Sequence, residues 1–464
     1  MKKLTEAQKL EKQLGMEFEH IGKKRPEALE ESMEFCEAYK VFLDAGKTER
    51  ECVRFVEAAA RKEGYKPFDR EKKYKSGDRF YYVNREKCII LVTVGKKGLE
   101  EGARFNIAHI DSPRLDLKPN PLMEIDELAY FKTHYYGGIR KYQWGVTPLA
   151  MHGTVVLKDG RKIYLDLGEK PEDPRFMISD LLPHLGAKQN ERPLKEGLRG
   201  EELNIIMGNY PMQGEDLKAP FKLMVLKLLN ERYGITEADF MRAEIEMVPA
   251  AKASDIGIDR SMIGAYGHDD KVCAYTAFMA AFAVKKPEYT TVTVLTDKEE
   301  IGSEGNTGMA SRFLDHFMQD LCEIGGVRVR DMYRKSVCLS SDVNAAYDPS
   351  FSDVFEKQNS SFLGHGPVIT KYTGARGKSG SNDASAETMA MVIGCMERDG
   401  VIWQIGELGK VDEGGGGTIA LFMGDMDVDT VDLGVPVLAM HAPYELVAKV
   451  DVYETYKAFC AFYR

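Results

Sequence analysis

The chain has 464 residues, 44% hydrophobic and 29% charged, ordinary proportions for a globular protein with room for two or three domains. Its formal net charge of −10 argues against nucleic acid or an anionic membrane as the main partner. The polar start "MKKLTEAQKLEKQLG" lacks the apolar core of a secretory signal, and no run approaches the roughly 20 apolar residues of a membrane span.

Residues 1 to about 65 are charged and helix-rich, with apolar positions at helical spacing in "SMEFCEAYKVFLDAG". Strands are predicted at 79–84, 88–94 and 103–110. Between about Lys118 and Pro249 the texture changes. There "GTVVLKDGRKIYLDLG" alternates around Asp159-Gly160, which predicts a hairpin with a type I′ turn, and "LKAPFKLMVLKLLNERYG" reads as a helix. From about residue 253, strands at 289–295, 336–341, 401–405 and 434–440 alternate with helices at 270–284, 307–323, 384–398 and 443–462. This pattern predicts an α/β fold, a mixed sheet flanked by helices on both faces. The simplest division is one domain from residues 1–117 and 253–464, with a β-rich insertion at 118–252. The eight cysteines are scattered with no C-x-x-C pair and read as reduced, buried small hydrophobes of a cytoplasmic protein. The "EGGGG" at 413–417 is a turn at which backbone can approach a ligand.

Chemistry-bearing residues gather at predicted strand ends. "FNIAHIDSP" delivers His109 and Asp111, "TVLTDKEEIGSEGNTG" delivers Glu299 and Glu300, "SVCLSSDVNAAYDP" delivers Asp342, and "VPVLAMHAPYE" delivers His441. "GHDDKVCAYTAF" adds Asp269 and Asp270 just ahead of a helix. Ligands of open α/β sheets collect at the carboxyl ends of strands. Taken singly, each residue is more simply a solvated carboxylate or a hydrogen-bonded histidine. Together they form a nitrogen and oxygen donor set of the kind zinc, manganese or cobalt takes. Two divalent ions would also explain the adjacent glutamates, because a cation beside Glu300 offsets its repulsion of Glu299 and leaves that residue free as a base.

In this ordered set, "AHIDSPRLDLKP", "GHDDKVCAYTAF", "TDKEEIGSEGNTG", "SSDVNAAYDP" and "VLAMHAPYE", the chain resembles the aspartyl aminopeptidases of the dinuclear zinc aminopeptidase clan. The resemblance implies two zinc ions per subunit, with cobalt or manganese as alternatives. It implies His109, Asp269 and Asp342 on one ion and Asp269, Glu300 and His441 on the other, with Asp269 bridging. Glu299 matches the general base, and Asp111 the carboxylate that orients the His109 ring. The insertion resembles the family's dimerisation domain, and "TPLAMHG" places His152 where the family has a histidine reaching a neighbouring subunit's site. The implied partners are a peptide substrate and further copies of the chain, in a tetrahedral dodecamer built from dimers.

The segment "TKYTGARGKSGSNDAS" departs from the family's eukaryotic pattern near the pocket for the first side chain, which opens the Asp/Glu preference to question. Lys371 is the candidate cation there. The same segment looks like a phosphate-binding loop, but the first glycine that pattern requires is Tyr372, which argues against ATP. The expected activity is metal-dependent removal of the first residue of a peptide. The alternatives are a related deacylase or carboxypeptidase, an aminopeptidase of neutral or broad preference, and a non-catalytic metal-holding scaffold. The last is disfavoured by the absence of cysteine ligands and by the unligated Glu299.

Overall fold

The computed structural model describes residues 5–464, so the first four residues of the predicted N-terminal helical stretch lie outside it. The centre is a nine-stranded mixed sheet. Its strands run in the order Lys66–Pro67, Arg79–Asn84, Cys88–Thr93, Thr290–Thr296, Ala103–His109, Val337–Ser340, Asp429–Gly434, Val368–Thr370 and Gln404–Ile405. The four strands Thr290–Thr296, Ala103–His109, Val337–Ser340 and Asp429–Gly434 are mutually parallel. "CIILVT" and "TTVTVLT" are buried at every position, as β-branched strands covered on both faces must be.

One face is covered by the helices His268–Ala283 and Lys449–Tyr463, both almost wholly buried. Phe313–Gly325 packs on the other face, where Phe317, Met318 and Leu321 meet Phe105 and Ile107. Helices therefore lie on both faces, as the alternating pattern predicts.

A second, antiparallel sheet of six strands runs in the order Lys162–Leu167, Leu149–Val156, Ala243–Pro249, Arg114–Ile125, Leu128–Tyr136 and Ile205–Gly208. It encloses its own core around Trp144, Phe131 and Met247. The helix Pro220–Tyr233 packs on it, opening with proline in its first turn and ending on Gly234 in the left-handed region, φ 73°.

Four predictions need correction. The helix expected at 307–323 begins only at Phe313, because residues 302–312 form a tight loop in which Ser303 is left-handed, φ 59°. The helix expected at 443–462 begins at Lys449, and Glu445–Ala448 is instead a strand. The strand expected at 434–440 is really two: Asp429–Gly434 in the main sheet and Pro436–Leu438 outside it. Pro436–Leu438 and Glu445–Ala448 belong to a third, five-stranded sheet that the periodicity does not reveal. The Asp159-Gly160 hairpin forms, but only Gly160 is left-handed, φ 85°. Asp159 accepts a hydrogen bond from the Arg161 backbone N–H at 3.0 Å, and a five-residue turn closes with Leu157 N–H donating to the Arg161 carbonyl. No described helix is long and apolar enough to cross a membrane. All eight cysteines are free thiols.

Candidate metal centre

The carboxyl ends of the four parallel strands open into one pocket of about 440 Å³. His109 is the last residue of its strand, and Asp342 lies two residues beyond Ser340. After Thr296 the chain turns through Lys298, left-handed at φ 68°, into the short turn Glu299–Ile301. Asp269 and Asp270 occupy the first turn of His268–Ala283. His441 stands in the loop after Pro436–Leu438, and both it and Ala439 have positive φ, 65° and 57°. Such backbone costs on the order of 1–3 kcal/mol per residue and persists only where its surroundings fix it. Here Glu445 helps to fix it: its carboxylate accepts from His441 N–H at 2.7 Å and from Asp269 N–H at 3.0 Å.

The side chains converge. His109 Nε2 lies 3.2 Å from Asp269 Oδ1, and His441 Nε2 lies 3.2 Å from Asp269 Oδ2. His109 Nε2 is also 3.9 Å from Asp342 Oδ1 and 3.9 Å from Glu299 Oε2, while His441 Nε2 is 3.5 Å from Glu300 Oε2. Both rings have one tautomer set by a carbonyl. His109 Nδ1–H donates to the Asp111 backbone carbonyl at 3.0 Å, and His441 Nδ1–H donates to the Gly138 carbonyl at 2.7 Å. A carbonyl only accepts, so each Nδ1 carries a proton and each Nε2 can present a lone pair to the pocket.

Five carboxylates share this space with two imidazoles. Burial pushes the carboxyls of Asp342 and Glu300 well above the usual range, and their acidic neighbours Asp270 and Asp269 push the same way. Burial also raises Glu299 to about 7, with His109 acting against it and Asp111 adding to it. Glu300 Oε1 and Asp270 Oδ1 are buried without a hydrogen-bond partner. Buried carboxylate oxygens without partners, among lone-pair nitrogens, are the signature of a cation site. Three sets of donor atoms lie close enough to share an ion: His109 with Asp270 and Asp342, His109 with Glu299 and Glu300, and Asp269 with Glu300 and His441.

Asp269, Glu300, Asp342 and His441, together with Glu299, line this pocket, and His109 is buried just behind it against Asp269. Asp111 lies beneath it, accepting the backbone N–H groups of Glu299 and Glu300, each at 3.2 Å. Asp270 and Glu445 were given no role by the motifs. Both are buried; Asp270 Oδ2 accepts His109 N–H at 3.3 Å. Their signal was visible only as the doubled "DD" and as a glutamate four residues after His441.

Two predicted residues are not brought to the pocket. His152 is buried in the six-stranded sheet, with Nδ1 2.8 Å from Glu51 Oε1 and Nε2 3.0 Å from Glu169 Oε1. Against the cost of burial, Glu169 and Glu51 hold its ring up to about 9, so both nitrogens carry protons and both are taken. Lys371 is absent from the pocket lining, half-exposed and ion-paired with Asp383. Arg376 and Lys378 line the pocket instead.

The model of the aminopeptidase I zinc metalloprotease (M18) family matches residues 42–463. A probable M18 family aminopeptidase 1 from Clostridium acetobutylicum is 46% identical over 442 residues, 94% of this chain and 95% of that protein. The crystal structure of an M18-family aminopeptidase from Thermotoga maritima superimposes with a TM-score of 0.92 at 44% identity, covering 97% of this chain and 99% of that one. Aminopeptidase I from Clostridium acetobutylicum gives a TM-score of 0.92 at 42% identity, covering 97% of this chain and 100% of that one.

Proposed function

The chain belongs to the M18 family of zinc aminopeptidases, and from that premise we propose that its pocket holds two zinc ions which Asp269 bridges. One observation carries this reading: the two oxygens of Asp269 face different histidines at the same 3.2 Å, Oδ1 toward His109 and Oδ2 toward His441. Asp342 completes the His109 side and Glu300 the His441 side. Asp270, which holds the His109 backbone, stands close enough to join the first of these. When bound, the ions polarise the scissile carbonyl and lower the pKa of water toward ~7.

The chain's own residues do the rest. Glu299 takes the proton of the attacking water and returns it to the leaving amine, which requires it to stay off the ions. Asp111 holds the Glu299-Glu300 backbone, so that the base and its neighbouring ligand keep different directions. The reading of an acidic first side chain passes from Lys371 to Arg376 and Lys378, which line the pocket. Lys378 stacks on Tyr372, its Nζ 3.7 Å from the ring centroid, and pairs with Asp383 at 2.9 Å, contacts that hold it at the pocket wall.

The six-stranded sheet also fits the dimerisation role that the family resemblance gives to residues 118–252. Leu185, Leu194 and Tyr210, in short turns and a loop between its strands, are 67%, 56% and 70% exposed, apolar side chains suited to a second copy of the chain. The assembly that follows from the resemblance is a dodecamer built from dimers.

The test is a panel of dipeptides beginning with Asp, Glu, Leu, Lys or Ala, each free and N-acetylated, assayed with zinc, cobalt and manganese. Release of the first residue from free peptides alone is expected. Cleavage of the acetylated series, or release from the carboxyl end, would point to a deacylase or carboxypeptidase instead.

A further inference from the structure

The six-stranded sheet sends one short segment into the metal centre. Tyr136 ends the strand Leu128–Tyr136, and Gly137 and Gly138 follow it. The Tyr136 hydroxyl donates to Asp111 Oδ2 at 2.8 Å. That carboxylate is the one that receives the N–H groups of Glu299 and Glu300. The Gly138 carbonyl accepts from His441 Nδ1–H at 2.7 Å. Gly137 lies between them at φ 76°, and a Cβ added there would sit 3.2 Å from Glu300 Oε2 and 3.3 Å from Glu300 Cβ. Three consecutive residues therefore touch the supports or side chains of Glu299, Glu300 and His441. The Tyr136 hydroxyl and the Gly138 carbonyl are both committed to these hydrogen bonds.

We propose that Tyr136, Gly137 and Gly138 are positioning residues for the metal centre, a strap by which the insertion sets the direction of His441 and of the Glu299-Glu300 turn. The proposal rests on the two-metal reading above. It gives the insertion a task within its own subunit, apart from any contact between copies. Tyr136 itself is held by its strand neighbour Arg114, whose guanidinium lies 3.9 Å from the ring centroid, so its hydroxyl arrives on a rigid platform. Groups that orient metal ligands in this way are worth about 10–100-fold in metal affinity or activity.

Tyr136→Phe removes only the hydroxyl and keeps the ring that Arg114 stacks on. Gly137→Ala keeps the hydroxyl and crowds Glu300. Metal-free wild type and both variants are titrated with cobalt(II), followed by its visible absorption, and kcat and KM are measured on a free dipeptide with zinc. The expected result for Tyr136→Phe is a cobalt affinity lower by about 10–100-fold and a fall in kcat with KM little changed. Gly137→Ala should alter the cobalt spectrum as well, and it carries the test if the phenylalanine variant does not fold. Variants that lose thermal stability but match wild type in cobalt affinity and kcat would overturn the proposal while leaving the two-metal reading intact. A wild-type protein that binds no cobalt would overturn both.

Discussion

Glu299 and Glu300 are neighbours in the chain, yet one lies 3.9 Å from His109 and the other 3.5 Å from His441. The proposed division of labour between base and ligand rests on this divergence. Glu299→Gln should keep two ions per chain and lose at least ~10²-fold in kcat, the scale of general acid–base catalysis. Metal analysis beside kinetics decides, because loss of an ion would make Glu299 a ligand. His152 also carries stability within its own subunit. His152→Ala leaves two carboxylates facing a buried gap and should cost about 3–5 kcal/mol of stability. Its ring is raised from an ordinary 6.5 to about 9, so its stabilising contribution is complete below pH 6.5 and is lost as pH rises through 9. The gap in melting temperature between wild type and variant should therefore narrow toward alkaline pH; a constant gap would show that the ring is neutral in the fold. Residue types at strand ends were enough to find the metal-facing groups. The partners His152 has within its own subunit were not legible, because Glu51 and Glu169 lie 101 and 17 residues away and no local pattern announces them.

The strands do the positioning, and the backbone packs tightly where Asp429–Gly434 passes Asp342. A Cβ on Gly434 would fall 1.8 Å from the Asp342 carbonyl oxygen and 3.0 Å from Cys273 Sγ. Gly434→Ala should thus displace the backbone carrying Asp342, costing about 1–3 kcal/mol in urea unfolding, as overpacking does. It should also weaken metal binding; unchanged affinity would mean that Asp342 is not a ligand. The parallel strands were legible because β-branched runs buried on both faces leave few alternatives. The segment from 429 to 448 was not. "DTVDLGVPVLAM" crosses from one sheet to another within two residues, and "ELVA" is too short for its period to be told from the helix that follows.

At the scale of the molecule, the centre draws on both ends of the chain and on the sheet between them. Asp111 follows an N-terminal strand, Asp342 and His441 come from the C-terminal half, and Gly138 reaches in from the six-stranded sheet. The third sheet, which joins Asn344–Ala345 to the strands on either side of His441, could not be read from periodicity because its strands are only two to four residues long. If the insertion's exposed leucines meet a second copy, the mass in solution should be a multiple of 52.1 kDa, and Leu185→Glu should shift it downward. A monomeric wild type would remove that surface as an interface.

The proposed Asp269 bridge is the one feature on which the proposed metal ligands, base and strap all depend. It is tested by titrating metal-free wild type and Asp269→Asn with zinc and counting bound ions per chain alongside dipeptide hydrolysis. The expected result is two ions for wild type, with loss of both ions and of activity together in the variant, because a single carboxylate serves each histidine. A wild type saturating with one ion, or an Asp269→Asn protein that still holds one ion tightly, would contradict a shared bridge.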